Sequence, residues 1–367
     1  MRRTLFSVTL TMALWGGLPA AHADEWEPFS SASILRGQSS MSTDDFDADD
    51  SGVADLSPFA TEDAVTPDQW FDRPRYGAYF QADALWLARA HQVDRPIAVT
   101  LPAGSAAVLS SQDADITGNF RVGMMLTLGF RFDQVSAVEF TYFGLNEWHN
   151  NAIVTSPTGA LGLVGTLQTV TQDFIFADRI AFDYGASIQN AEANYKQTIE
   201  GLTLLGGFRF FALNEAANIN SHIAKPAEAS DYHVAAFNRL VGLQAGVGQN
   251  WQWGRLNAEL LGKFGVFANL ASQETLLGDF NNTTILRDYK TQTTPVSVLG
   301  EIALNTRYQV TDWFAFRAGY RLIGIDNLAL APDQFDFSKP AIGRVQPVAA
   351  HEYLLLHGFN VGAEIRW

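Results

Sequence analysis

Cysteine is absent from this 367-residue chain, and charged side chains are scarce, at 17% of the residues. The lack of cysteine excludes a disulfide framework and a lipidated N-terminal cysteine. After residue 23 there is no run of about 18 apolar residues, which excludes a later transmembrane helix. Hydrophobic residues still make up 47% of the sequence. If such a chain is exported, it is either free in a periplasm or outside the cell, or it is a membrane β-barrel.

Residues 1–23 have the pattern of a secretory signal peptide. Arg2 and Arg3 form a basic start, residues 5–18 are mainly apolar, and Ala21-His22-Ala23 is a small-x-small cleavage site. This pattern predicts export. Residues 24–75 then carry 13 acidic residues against three arginines, a net charge of −10. Their polar, turn-rich composition predicts an acidic, disordered leader.

Within the leader, residues 44–52 read D-D-F-D-A-D-D-S-G and resemble a calcium loop, because aspartates alternate from Asp45. The sixth position is Asp50 rather than glycine, and the twelfth is Leu56 rather than a bidentate glutamate. We therefore interpret the run as solvated and predict neither a metal site nor a cofactor.

From residue 76 onward, segments with alternating apolar and polar residues follow one another. Such alternation is typical of β-strands with two different faces, and about 9–11 residues suffice for a tilted strand to cross a membrane. The ten segments are 76–89, 120–132, 136–145, 187–199, 202–213, 237–249, 255–269, 296–309, 313–323 and 359–367.

Short and long connections alternate between these segments. Short turns lie near residues 133–134, 200–201, 250–254 and 310–312, and long connections cover 90–118, 146–186, 214–236, 270–295 and 324–353. This alternation predicts an all-β, antiparallel up-and-down transmembrane β-barrel over residues 76–367, with short periplasmic turns and long external loops. We expect about ten strands; alternatively, residues 163–176 add a hairpin and make twelve. The alternative to a membrane barrel is a soluble β-sandwich.

The last segment, 359–367, reads F-N-V-G-A-E-I-R-W and ends on an aromatic residue. We expect it to close the barrel against segment 76–89, and to be the signal through which the barrel-assembly machinery recognises the chain. Aromatic residues near strand ends suit the interfacial girdles of a barrel that contacts outer-membrane lipid. They are Trp86, Trp148, Trp251, Trp253, Tyr308, Trp313 and Trp367.

Two stretches resemble the family of β-barrel porins known mainly from planctomycete-type bacteria. They are N-A-E-A-N-Y-K at 190–196 and G-L-T-L-L-G-G-F-R-F-F-A-L-N-E at 201–215, supported by G-A-Y-F-Q-A-D-A-L-W-L at 77–87 and by 241–266. The resemblance covers residues 76–367 and implies an outer-membrane, porin-like barrel. It rests on strand signatures and carries no catalytic residues. The Ala- and Asn-rich segment after Glu215 departs from the family pattern.

No enzymatic motif stands out. The chain has no G-x-S-x-G and no H-E-x-x-H, and its loop histidines (His91, His149, His222, His233 and His351) show no metal-ligand spacing. We predict that the protein is not an enzyme and has no catalytic residues. The acidic balance disfavours nucleic-acid binding.

Charged residues on the polar faces of the strands are predicted to line the lumen. They are Arg121, Glu139, Glu192, Arg209, Glu259, Lys263, Glu301, Arg307, Arg317 and Arg321. A ten-stranded barrel leaves only a narrow lumen. The expected function is porin-like passage of small solutes or ions across the outer membrane. In the alternative, the charges pair across the lumen and fill it, leaving a non-conducting barrel that presents large external loops.

Overall fold

In the computed structural model, residues 77–102, 106–133, 135–224, 227–340 and 345–367 are described. The predicted signal peptide and acidic leader, with its calcium-like run, lie outside these residues. Sixteen β-strands cover most of the described chain, together with three short 3-10 helices at Ser111–Ala114, Leu167–Thr169 and Ala331–Gln334. Among these residues no helix is long and apolar enough to cross a bilayer.

Ten antiparallel strands close into a ring, which confirms the predicted all-β barrel. In chain order they are β1 (Gly77–Arg89), β4 (Arg121–Arg131), β5 (Ser136–Thr155), β8 (Arg179–Ile199), β9 (Leu202–Ile223), β10 (Glu228–Trp253), β11 (Leu256–Asn269), β14 (Val296–Gln309), β15 (Phe314–Leu328) and β16 (Glu352–Arg366). Each of them pairs with its two neighbours, and β16 pairs with β1. No edge of the ring is left open, so all backbone groups along it can be paired.

The closing seam lies where the sequence predicts it. Phe80 faces Ile365 and Trp86 faces Phe359 across β1 and β16. The two strands approach closely: a Cβ atom on Gly358 would lie 1.9 Å from the carbonyl oxygen of Trp86. Glycine is therefore required at this position of the seam.

The remaining strands lie outside the ring. β12 (Ala271–Asp279) and β13 (Thr284–Thr293) form a hairpin, and β12 pairs with residues 232–237 of β10. β2 (Pro96–Thr100), β3 (Ala107–Ser110), β6 (Leu161–Leu163) and β7 (Ile175–Ala177) form a separate small sheet. The predicted alternative of twelve barrel strands is wrong, because residues 163–176 contribute only to this small sheet and a 3-10 turn.

One end of the barrel, here the turn end, carries the short turns and the closing seam's chain ends; the opposite end is the loop end. Glu200 and Gly201 connect β8 to β9 with φ angles of 49° and 83°. Two consecutive positive φ angles are what a two-residue hairpin turn needs. The ends of β1 and β16 meet here, where the amide of Ala78 donates to the carbonyl of Trp367 at 3.2 Å.

At the loop end, four neighbouring strands extend well beyond their predicted limits. In the first half of β9 the outward side chains are apolar, such as Phe208, and an inward one is the charged Arg209. In the second half the outward side chain of Asn218 is polar and the inward side chain of Ile219 is apolar. The hydrophobic phase thus inverts near Phe211 while the strand continues. Alternation with apolar residues on the outer face ends at this point, so it predicts a loop at residues 214–236, and this prediction is wrong. β5, β8 and β10 also continue beyond their predicted ends at the loop end.

A bulge in β5 explains a second departure. The pairing of β5 with β8 shifts between Leu145 and Trp148. An extra residue reverses which face the following side chains occupy. Trp148, predicted for the outer girdle, is therefore buried, and its indole N–H donates to the carbonyl of Asn119 at 3.0 Å.

Candidate functional site: the barrel interior

A polar cavity of about 450 Å³ occupies the turn-end half of the barrel. It reaches the turns, since Asp133, Gly201 and Asn250 border it. Its charged lining consists of Arg131, Asp133, Glu139, Glu192, Lys196, Glu259, Lys263, Glu301, Arg307, Arg317, Arg321 and Glu364. Acidic and basic residues are equal in number, so the cavity has no charge bias that would concentrate ions of one sign.

A buried ion cluster lies on the loop-end side of this cavity. Arg209 Nη1 lies 2.7 Å from Glu301 Oε2 and 3.6 Å from Glu192 Oε1. Lys263 Nζ lies 2.9 Å from Glu192 Oε2 and 3.6 Å from Glu301 Oε1. Asn190 accepts a hydrogen bond from Arg209 Nε at 2.6 Å. Two glutamates thus pair with two basic groups across β8, β9, β11 and β14, and Arg321 of β15 lies 3.5 Å from Glu301 Oε1 as a third basic partner.

A second group of charges crosses the closing seam. Arg317 contacts Asp83 Oδ1 at 3.4 Å and Glu364 Oε2 at 3.4 Å, and Arg307 lies 3.5 Å from Glu364 Oε1. Gln81 donates to Glu364 Oε2 at 2.8 Å. These contacts join β1, β14, β15 and β16 from within.

The structure brings most of the predicted lumen residues together. Glu139, Glu192, Glu259, Lys263, Glu301, Arg307, Arg317 and Arg321 border the cavity. Arg209 is fully buried in the ion cluster behind it. Arg121 is apart from the others, toward the loop end, where its Nη2 donates to the carbonyl of His149 at 3.2 Å.

The sequence analysis does not predict two of the ion pairs in the barrel interior. Lys196 pairs with Glu139 at 2.8 Å; it has the same parity in β8 as Glu192, and that parity could have identified it. Arg89 pairs with Glu215 at 2.8 Å and also contacts the hydroxyl of Tyr184 at 2.7 Å. This second contact lies beyond the phase inversion, where no alternating signal was followed.

On the loop-end side of the ion cluster, the interior is filled by buried, mainly apolar side chains. All ten ring strands contribute a side chain with no more than 3% exposure to one buried cluster, and Met125 of β4 also borders the polar cavity. One such residue per strand, from β1 to β16, is Leu87, Met125, Phe143, Tyr184, Phe211, Leu240, Phe267, Leu299, Ile323 and Leu356. A continuous water column would leave part of this cluster exposed, so the described chain closes the barrel here.

Residues 328–337, here the plug segment, fill the centre of this part of the interior. Leu330 and Ala331 are fully buried. Asn238 holds the segment from the wall of β10, because its amide donates to the carbonyl of Ala329 at 2.7 Å and its oxygen accepts the Ala329 amide at 2.8 Å. Glu215 Oε2 accepts the Ala331 amide at 2.8 Å. The segment is thus fixed by backbone hydrogen bonds as well as by apolar packing.

The outside of the ring is apolar around its turn-end half. Phe208 is 67% exposed and Leu243 61%. On β9 the outward apolar residues run from Leu202 to Ala212. Ten rises of about 3.4 Å at a tilt of about 40° give a height near 25 Å, the height of the apolar band of outer-membrane barrels.

Aromatic residues border this band. Trp251, Trp253, Trp313 and Trp367 are exposed at its turn-end margin. Toward the loop end, Trp86 stacks on Phe359 with ring centroids 5.1 Å apart. Side chains of this type suit the boundary between hydrocarbon and water.

A serine, a histidine and an aspartate share a shallow depression of about 350 Å³ at the loop end. His222 Nδ1 lies 2.8 Å from Asp178 Oδ1. Ser156 Oγ, however, contacts Thr158 Oγ1 at 3.2 Å and accepts the amide of Ala160 at 3.1 Å. Within the described chain no hydrogen bond joins Ser156 to His222, so these residues do not form a proton relay.

No protein-family model matches the chain, and the search among curated proteins found no match. Among solved structures, the chain is similar to the outer membrane protease OmpT from Escherichia coli, with 8% identity, TM-score 0.41, and 82% of this chain and 98% of that chain covered. It is also similar to the translocator domain of autotransporter NalP from Neisseria meningitidis, with 9% identity, TM-score 0.39 and 81% and 91% coverage. A third is the Pseudomonas putida toluene transporter TodX, with 10% identity, TM-score 0.32 and 84% and 94% coverage. The resemblance to one porin family remains a prediction, and the chain's own strand pairing establishes its fold.

Proposed function

We propose that this chain is an outer-membrane β-barrel that is closed on its loop-end side and presents a structured surface to the cell exterior. The apolar band of about 25 Å in height supports the membrane location. The turn end then faces the periplasm and the loop end the exterior, as in up-and-down barrels with short periplasmic turns.

The observation that carries the closed state is the cluster of buried inward side chains together with the plug segment. In the plug segment Leu330 is fully buried, and all ten ring strands contribute buried side chains to the same cluster. Ions cross a barrel through water, and no described side chain of this cluster is substantially exposed to it. The barrel accordingly acts as a surface scaffold.

Single-channel recording in a planar lipid bilayer tests this function. The purified protein is expected to insert without discrete conductance steps, and heat-modifiable gel migration of the same sample shows that it is folded. Regular conductance steps from the folded wild-type protein would contradict the closed state.

Porin-like passage of small solutes or ions is a second candidate, favoured by the charged cavity of about 450 Å³ at the turn end. It requires the plug segment to move. If passage occurs, Arg209→Ala or Arg317→Ala changes the ion selectivity of the open state. In a closed barrel both substitutions mainly lower thermal stability, since they remove partners of Glu301 and Asp83.

Recognition by the barrel-assembly machinery through β16 and the terminal Trp367 is also a proposal. The antiparallel pairing of β16 with β1 supports it, because the strand must be delivered last to close the ring. Deleting residues 365–367 is expected to abolish membrane assembly. Normal insertion of the truncated protein would show that these residues are not the signal.

A further inference from the structure

Three side chains that could bind a metal converge at the loop end, away from the polar cavity. Asp333 belongs to the 3-10 helix Ala331–Gln334 in the plug segment, His351 lies just before β16, and Glu352 begins that strand. One ligand atom from each lies within 4.8 Å of the other two. Two parts of the chain separated by 17 residues are thus brought to one point.

A buried oxygen without a donor points into this cluster. Asp333 is only 4% exposed, and its Oδ2 has no hydrogen-bond partner. Its other oxygen, Oδ1, lies 3.1 Å from Arg95 Nε. A buried carboxylate oxygen without a donor is costly. Arg95 thus pairs with Asp333 Oδ1 and leaves Oδ2 available to a cation.

We propose that Asp333, His351 and Glu352 bind a divalent transition-metal ion, for which Zn²⁺ is the best match. Imidazole nitrogen and carboxylate oxygen are both zinc ligands, whereas Ca²⁺ and Mg²⁺ prefer oxygen alone. Tetrahedral bonds of about 2.0–2.2 Å place neighbouring ligand atoms about 3.3 Å apart. In the structure the ligand atoms lie within 4.8 Å of one another. Rotation of the imidazole can shorten the distances to the other two ligands, because the His351 side chain is 68% exposed.

Arg95 opposes the ion, and its position makes the proposal sharper. Its positive charge on Asp333 Oδ1 competes with a cation for the same carboxylate. Neutralising Arg95 is therefore expected to tighten metal binding, whereas removing His351 or the charge of Glu352 weakens it. A site made of unrelated surface residues would not show these opposite responses.

Bound metal would join the plug segment to the base of β16, since Asp333 lies in the former and Glu352 in the latter. An effect of the metal on opening of the lumen rests on the proposed closed barrel. Metal binding does not rest on it, because the three ligands lie outside the polar cavity. Calorimetry therefore tests the metal site, and conductance tests the closed barrel separately.

The experiment is isothermal titration of the full-length protein in detergent with ZnCl₂ at neutral pH. Four variants are compared: His351→Ala, Glu352→Gln, Arg95→Gln and the control His149→Ala, which removes an exposed histidine from β5. The wild-type protein is expected to bind one zinc ion. His351→Ala and Glu352→Gln should weaken this event about tenfold or more, His149→Ala should leave it unchanged, and Arg95→Gln should strengthen it.

His351 is largely exposed, so its replacement is expected to leave folding intact, and heat-modifiable migration of each variant verifies this. Equal zinc affinity in wild-type protein and folded His351→Ala would overturn the proposal. So would a wild-type titration without saturable binding. Co²⁺ provides a second readout, because a tetrahedral site with a histidine ligand gives visible absorption bands, which should be lost in His351→Ala and kept in His149→Ala.

Discussion

The two halves of one ring solve the problem of a barrel interior in opposite ways. In the turn-end half, charged side chains such as Glu259 and Lys263 border a wet cavity, and the outside is apolar. In the loop-end half, Phe211 and Ile219 are fully buried inside, while Asn218 faces outward. The strands are continuous across the boundary. Along β9, where the facing of the side chains does not change, residue type therefore decides which side of the sheet is wet.

The largest expected effect comes from removing what closes the loop-end half. Replacing residues 329–337 by a Gly-Ser segment of equal length removes Leu330 and Ala331 from the centre of the barrel. We expect discrete conductance steps where the wild-type protein shows none. Persistent silence of a folded variant would mean that the ring side chains close the lumen without the plug segment.

The same substitution in both halves should have very different costs. Glu215→Gln leaves Arg89 buried without its carboxylate, and breaking a buried pair costs about 3–5 kcal/mol. Glu259→Gln changes a residue on the cavity wall that accepts a weak hydrogen bond from Asn305 at 3.5 Å. Its cost should be about 1 kcal/mol or less. Urea unfolding of both variants measures the contrast, and equal costs would show that the loop-end half is also wet.

A smaller effect is expected at the link between wall and plug segment. Asn238→Ala removes both hydrogen bonds to Ala329 and leaves its buried N–H and C=O groups unpaired. We expect a loss of about 1–3 kcal/mol. Hydrogen exchange should become faster in residues 329–337 and stay unchanged in β11, which serves as the internal control. Uniformly faster exchange would instead indicate global destabilisation.

The smallest effect concerns the outer surface of the loop-end half. Hydrogen bonds from Asn220, Asn218 and Asn282 lower the pKa of Asp231 although partial burial, the largest single influence, raises it. A lowered folded-state pKa contributes stability above the unfolded value near 4, and this contribution is lost as the pH falls through the folded value. Asp231→Asn should therefore flatten the acid limb of the pH–stability curve slightly. An unchanged acid limb would exclude this contribution.

The turn-end half was predictable from sequence because one rule governs it. Apolar residues face outward on every strand there, so alternation alone located all ten strands and placed Glu192, Lys263 and Glu301 on the inner face. The closing seam of β1 and β16 followed from the same rule. β14 was predicted at the bounds that the structure shows.

The loop-end half was not predictable in this way, for two physical reasons. The phase inversion near Phe211 makes consecutive residues apolar, which ends an alternating pattern without ending the strand. The bulge before Trp148 reverses facing by one residue, and no composition signal marks it. The cluster of Asp333, His351 and Glu352 depends on how a 17-residue connection folds back, which local sequence does not encode.

The phase inversion has a consequence for membrane choice. It occurs at a similar height on β5, β8, β9 and β10. The position of the inversion therefore sets the hydrophobic thickness of the barrel wall. A bilayer several ångströms thicker would pull polar outward residues such as Asn214 and Asn218 into lipid, or require local thinning, at a cost that grows with each ångström. The bacterial outer membrane is thinner than average. Hydrophobic mismatch would thus disfavour the chain in the thicker membranes of the same cell.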